Sequence, residues 1–468
     1  VARDVDSVDD VLYLTVRELG DRIRKRELSP LELTEGYLRR SETLGASLNA
    51  YAVVTRERAL AEAKQAESEI AAGKYRGPLH GIPYAAKDLI AAKGYPTAWG
   101  AKPYANQRFD ADGTVIRLLR EAGAILIGKA AMIELAGGMG YRFGTASISG
   151  GAKNPWNQTC WTCGSSSGSA AIVSAALAAF AIGTETWGSI ICPSAYCGIS
   201  GMRPTFGRVG RGGAMALSYS MDKIGPMARS ADDCGLILAA ISGTDESDQH
   251  SAGERAKFAY EAGAAAPVRI GVVDAWGETI QPDVKTLTNA ALDVFRASGA
   301  KLVEVKLPDG PWEPAAGVTI QVECASAFEQ LIDSGGVAQL ADPGSRIGGY
   351  INQTVSGGDY VRAQRLRTIV QKKMDALFEE VDVLVAASLP MPATPLEANL
   401  ESAFNFSDPL GGIGNFCGLP AISVPSGLTS KGLPAGIQFV GRAFADDRVL
   451  AAARSYQLKT EWHRARPL

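Results

Sequence analysis

Residues 164–183 are nearly all small: Gly164-Ser165-Ser166-Ser167-Gly168-Ser169 runs straight into an alanine-dominated apolar stretch, Ala170 to Gly183. Side chains this small let backbones approach closely. The stretch therefore predicts a buried helix packed tightly on its neighbours. It is too short to cross a bilayer, which takes about 20 apolar residues, so no membrane association is expected. A second small-residue cluster follows at once, Gly183-Thr184-Glu185-Thr186-Trp187-Gly188-Ser189.

Around this core, short apolar runs alternate with helical patterns. Ala124 to Ile127 reads as a strand and Thr114 to Glu121 as a helix, the alternation of an α/β sheet. Val11 to Ala72 has apolar residues at helical spacing, with Ser29-Pro30 as a start signal. Val268 to Val273 predicts a strand, Asp283 to Ala300 a helix and Val381 to Ala387 a buried strand. Residues 308–360 are glycine-rich and read as irregular, surface-exposed and lid-like. The strand pattern returns after Leu410, so the C-terminal part is expected to rejoin the first sheet.

The chemistry is constrained by a scarcity. The chain has only three histidines, His80, His250 and His463, and most hydrolytic sites use His as base or metal ligand. Lys87 is a candidate substitute. It sits in the apolar run Gly81 to Ile90, where burial would disfavour its charged form and prepare it to act as a base. A snorkelling lysine paired with a carboxylate is the alternative. The Gly/Ser run allows a loop and helix cap, but small residues beside a helix start also suit an oxyanion and its nucleophile.

Other motifs compete. Gly164-Ser165-Ser166-Ser167-Gly168 fits the Gly-x-Ser-x-Gly elbow of an α/β-hydrolase esterase, with Ser166 as nucleophile and His250 or His463 as base. Gly123 to Ala130 imitates a phosphate loop but lacks the hydroxyl for magnesium, and reads as a buried strand. Cys160, Cys163, Cys192 and Cys197 could be halves of a zinc or redox site, against a reading as buried thiols. Seven cysteines, an odd number, point to a reducing cytoplasm rather than a disulfide framework. Lys+Arg total 47 against 50 Asp+Glu, a balance without the basic footprint of a nucleic-acid binder.

Taken in order, several blocks resemble the amidase signature family: Gly81-Ile82-Pro83-Tyr84-Ala85-Ala86-Lys87-Asp88, Asn154-Pro155-Trp156, the two serine clusters, Gly201 to Val209, Gly418 to Pro425 and Gly432 to Gln438. The resemblance implies one amidase-signature domain over 1–468, a central mixed β-sheet flanked by helices on both faces. Within it lie an N-terminal helical segment, 1–75, and a more variable region, 245–410. It also implies a triad: Lys87 as base, Ser165, after a cis peptide bond, as proton bridge, and Ser189 as nucleophile. Backbone N–H groups of Thr186, Trp187, Gly188 and Ser189 would form the oxyanion hole. Gly138-Met139-Gly140 falls where the family passes a loop over the substrate, and Arg208 offers a polar contact or a structural ion pair. No metal or organic cofactor is implied.

Two departures bear on substrate. Trp187 replaces a usual glycine, and Ile191 stands where the family commonly has an arginine. Both favour a neutral, apolar amide, aryl or alkyl, or a carbamate (urethane). The alternative within the resemblance is the A subunit of a Glu-tRNA(Gln)/Asp-tRNA(Asn) amidotransferase, a glutaminase within an assembly. A catalytically silent scaffold is a third reading, opposed by retention of the triad. Oligomeric state is not readable, and a homodimer is compatible with the family.

Overall fold

The computed structural model describes residues 8–263, 265–266 and 268–467. In chain order its strands are β1 (Tyr51–Val54), β2 (Pro83–Lys87), β3 (Ile125–Ala130), β4 (Lys153–Asn154), β5 (Asn157–Trp161), β6 (Phe180–Glu185), β7 (Ser200–Arg203), β8 (Lys223–Ala228), β9 (Arg269–Val272), β10 (Lys301–Glu304), β11 (Val383–Ala387), β12 (Ala421–Leu428) and β13 (Pro434–Val440). All but β4 and β5, which pair with each other, form one eleven-stranded sheet, ordered β1-β3-β2-β6-β8-β7-β12-β13-β11-β9-β10. The sheet is mixed. β2 runs parallel to both β3 and β6, whereas β6 is antiparallel to β8 and β12 to β13. The C-terminal strands do rejoin the first sheet.

Strands β2, β3, β6, β8 and β11 are buried along their whole length. That explains their continuous apolar runs, since a central strand covered on both faces has no polar side to show. Ile125, Ile127, Phe180 and Ile182 are part of the main hydrophobic core. The expected helix over 114–121 is observed, and Ser29 accepts from the backbone N–H groups of Leu31 and Glu32, capping the helix Pro30–Arg40.

Three expectations need correction. The stretch 170–183 is not one helix: a helix spans Ser167–Ser174, and Phe180–Glu185 is strand β6. Alanine marks close packing in either state, so composition could not place the break. The N-terminal region is helical but carries β1, which pairs with β3. Residues 308–360 are largely helical, with helices at Trp312–Ala327, Glu329–Asp333 and Pro343–Gln353. Here proline and glycine occupy first turns and tight helix contacts: the Cα of Gly348 sits against the backbone of Met139, and Gly349 against Ile332. Among the described residues no helix is long and apolar enough to cross a membrane.

Gly168 shows how the serine run is seated. A Cβ there would collide with the carbonyl oxygens of Ala50 and Ala131 and with the Ala131 nitrogen. Backbone cannot give way as a flexible side chain can. Gly168→Ala is therefore expected to cost about 2 kcal/mol through overpacking, measured as a lowered urea midpoint with unchanged slope.

Candidate active site

The C-terminal end of β2 carries Lys87 into the interior, where it is fully buried. Its Nζ lies 2.8 Å from Ser165 Oγ, 3.0 Å from Ser166 Oγ and 2.9 Å from Thr184 Oγ1. Ser165 Oγ is in turn 2.9 Å from Ser189 Oγ. The three sequence-predicted triad residues thus form one unbroken chain of contacts. Ser166 donates its hydroxyl proton to Thr184 O at 3.1 Å, so toward Lys87 it acts as an acceptor. The Gly164–Ser165 peptide bond is cis.

Among the described residues no carboxylate pairs with Lys87. Desolvation lowers its pKa to about 7, against the opposing pull of Asp222 and Glu185. Those two carboxylates are nearby but committed elsewhere. Asp222 accepts from Thr186 Oγ1 and from the backbone N–H groups of Leu217 and Ser218. Glu185 accepts from Arg203 Nη1 at 2.7 Å and from the N–H groups of Ile190 and Ile191. Burial opposes its charge, but Arg203, Lys223 and these donors hold Glu185 down to about 2.

The turn after β6 carries the other expected groups. Gly188 has φ +78°, a left-handed conformation that suits glycine. Among the described residues the N–H groups of Thr186, Trp187, Gly188 and Ser189 have no hydrogen-bond acceptor. Lys223 Nζ donates to Thr186 O and Met221 O. The Trp187 indole is anchored by its Nε1–H to Asp408 Oδ2 at 2.9 Å. Ile191 is buried in an apolar cluster with Met221, Leu410, Ile413 and Phe416. A cavity of about 230 Å³ adjoins the triad through Thr184 and Thr186, and Met215, Leu217, Asp222 and Lys223 also line it.

Other candidates lie elsewhere. Arg208 is not brought to the triad: its Nε pairs with Asp446 at 2.9 Å and its other nitrogens bind Lys257 O and Phe444 O. It is the structural ion pair. Gly138 and Gly140 offer their carbonyls to Asn352 and Ser345, and Met139 is buried. That loop is tied to the helix Pro343–Gln353. Ser166 meets Lys87 rather than a histidine, so the elbow reading fails. His80 accepts from Arg76 N–H and His250 lies against Arg211. Lys129, in the phosphate-loop imitation, is buried on Asp88 and Thr97. Cys163 is bonded to Cys192, while Cys160 and Cys197 are free thiols. The four sulfurs therefore do not assemble a zinc site, and two of them are not the free thiols expected. Sequence reasoning missed this bridge, the Glu185–Arg203 pair and Thr184. Only Thr184 left a signal, since period-two alternation from the buried strand β6 aims it beside Ser166.

A family model described as Amidase matches residues 32–450. The A subunit of glutamyl-tRNA(Gln) amidotransferase from Geobacter metallireducens is 36% identical, covering 97% of this chain and 99% of its own length. That of Geobacter sulfurreducens is 37% identical with the same coverage. Among solved structures, native peptide amidase from Stenotrophomonas maltophilia superposes with a TM-score of 0.85 at 31% identity, covering 97% of this chain and 98% of that one.

The Glu185–Arg203 pair generates a direct test. Glu185→Gln leaves a buried guanidinium without its counter-charge, a change expected to destabilise by about 3 kcal/mol. Equilibrium urea unfolding measures it. The exposed pair Arg56–Glu42 is the control, and its loss should cost under about 1 kcal/mol.

Proposed function

Because the chain belongs to the amidase family, an enzyme family acting on carbon–nitrogen bonds, we propose that it hydrolyses a small carboxamide through an acyl-enzyme on Ser189. The observation that carries this reading is the buried contact chain from Lys87 Nζ through Ser165 Oγ to Ser189 Oγ, at 2.8 and 2.9 Å. In the reaction, neutral Lys87 takes the Ser165 proton as Ser165 takes that of Ser189. Ser189 Oγ attacks the carbonyl carbon. The N–H groups of Trp187, Gly188 and Ser189, with Thr186 beside them, receive the developing oxyanion. Ser165 returns a proton to the leaving nitrogen, and water releases the acyl group.

Trp187 and Ile191 favour a neutral, apolar substrate, an aryl or alkyl amide or a carbamate. An indole and a buried aliphatic side chain give a substrate carboxylate nothing to bind. A second reading has its own support. Proteins named as amidotransferase A subunits are 36–37% identical over nearly the whole chain, which favours glutamine as the amide and a larger assembly as the setting. Arg367 adds to this. It is half-buried beside Phe416 and bonded through Nη1 to Ser220 Oγ, and among the described residues its Nε and Nη2 have no acceptor. Such a guanidinium is a ready partner for the carboxylate that Ile191 cannot hold.

A panel of neutral anilides, carbamates and glutamine, assayed with the purified chain, separates the two. Turnover of anilides with none of glutamine supports the first reading, and the reverse supports the second. In either case Ser189→Ala abolishes turnover, and the acyl group trapped on wild-type Ser189 is visible by mass spectrometry. Lys87→Ala loses most activity, whereas His80→Ala and His250→Ala retain it.

The pH profile follows from Lys87. Its pKa of about 7 means that the base form is lost as pH falls. kcat/KM is expected to be half-maximal near pH 7, to fall about tenfold per unit below it, and to level off above it. A profile flat from about pH 5 to 8 would exclude lysine as base.

A further inference from the structure

Two cysteines flank the two serines. Cys163 stands two residues before Ser165, and Cys192 three residues after Ser189. A disulfide joins them, with Cα atoms 5.9 Å apart. Both residues are buried, and the other five cysteines are free. The bridge therefore ties the loop of the proton bridge to the first turn of the helix Ile191–Cys197 that follows the nucleophile.

Cys163 itself is in an unusual backbone state. Its φ is +62°, a region that glycine enters freely and other residues rarely do. A side chain held there needs something that over-determines it, and the bond to Cys192 does so. Beyond the bonds of Ser166 Oγ with Thr184 N–H and O at 3.2 and 3.1 Å, which tie that loop to β6, two contacts reach Ser189 itself: Ser166 N–H donating to Ser189 O at 3.3 Å, and the Ser165–Ser189 hydroxyl contact at 2.9 Å. The first is long, and the second is the contact that chemistry must use.

We propose that the Cys163–Cys192 bridge is a positioning device for the hydrolytic reaction, fixing Ser165 Oγ within proton-transfer reach of Ser189 Oγ. This rests on the triad reading above. A dithiol opens the bridge by exchange: one reductant thiolate attacks a cystine sulfur and expels the other as thiolate, then the second reductant thiol displaces the protein sulfur. Two electrons and two protons pass to the protein, leaving Cys163 and Cys192 as thiols and the reductant as a cyclic disulfide.

The full chain is treated with dithiothreitol, and alkylated thiols are counted by mass under denaturing conditions. Five are expected before reduction and seven after. On the panel's best substrate, the reduced enzyme should show kcat lowered about tenfold or more, because misplacing reacting groups by about 1 Å costs up to 10²-fold, with KM within about twofold. Cys163→Ala with Cys192→Ala should match that loss and no longer respond to dithiothreitol. Should that pair fail to fold, Cys163→Gly with Cys192→Ala keeps the left-handed turn unstrained while removing the bond. Seven alkylated thiols in untreated, active enzyme would overturn the proposal. So would unchanged kcat in reduced or bridge-free enzyme, even with a lowered melting temperature, since that is mere stapling. Ser189→Ala separates the two failures: if it is inactive while bridge-free enzyme is fully active, only the positioning role falls; if it stays active, the triad reading falls first.

Discussion

A lysine taken wholly out of water without a carboxylate partner is the constraint on which this molecule turns. An isolated ammonium in the interior is costly, and the group responds by giving up its proton. The surroundings of Lys87 encourage that. Hydroxyls from Ser165, Ser166 and Thr184 surround Nζ, and hydroxyls serve an amine equally well once it is neutral, when its lone pair accepts and its two remaining hydrogens donate. A carboxylate in the same place would have fixed the charge and left no amine able to serve as the proposed base.

The neighbouring strand shows the other outcome. Lys129 on β3 is as buried as Lys87, yet its ammonium lies 3.0 Å from Asp88. Asp88 directly follows Lys87 in sequence, and successive side chains at a strand end face opposite ways. The same step that carries Lys87 toward the serines therefore carries Asp88 away to Lys129. Two lysines in equivalent burial are given different partners by one residue of register. A slip of one position would exchange them and leave the serines facing a carboxylate.

What the sequence revealed follows from how local each signal is. Lys87 was legible as a candidate base because it is a cation in an apolar run, but Ser165 and Ser189 were singled out from their neighbouring serines only by the resemblance to the amidase signature family; composition alone pointed as readily to Ser166. The disulfide was not legible, because pairing depends on Cα separation, and nothing local brings positions 163 and 192 to 5.9 Å. Arg208 stayed open between a polar contact and a structural ion pair because an arginine in a motif block looks the same whether it meets substrate or, as here, Asp446. The helices within 308–360 were hidden by glycines that in fact serve close packing, Gly348 and Gly349 against Met139 and Ile332. Strand β1 was lost in a region whose dominant period is helical.

The donors around the nucleophile are divided between structure and chemistry. Beyond Ser189, the N–H groups of Ile190 and Ile191 are both taken by Glu185 Oε2, and that of Cys192 by Gly188 O. These bonds satisfy the start of the following helix, where N–H groups are otherwise orphaned, and they pin the turn to the buried Glu185–Arg203 pair. Among the described residues the donors left over in this turn are those of Thr186, Trp187, Gly188 and Ser189. Unpaired N–H groups at the edge of a buried site carry a desolvation cost, recovered only when an acceptor arrives. An oxyanion recovers more of it than a neutral carbonyl does, because hydrogen bonds to charged oxygen are roughly twice as strong. On the proposed mechanism Glu185 would bear on the reaction without touching substrate: it claims the donors downstream, while those of Thr186, Trp187, Gly188 and Ser189 have no internal acceptor among the described residues. Such pre-oriented dipoles need no reorganisation when charge develops, which is where most of their worth to a transition state lies.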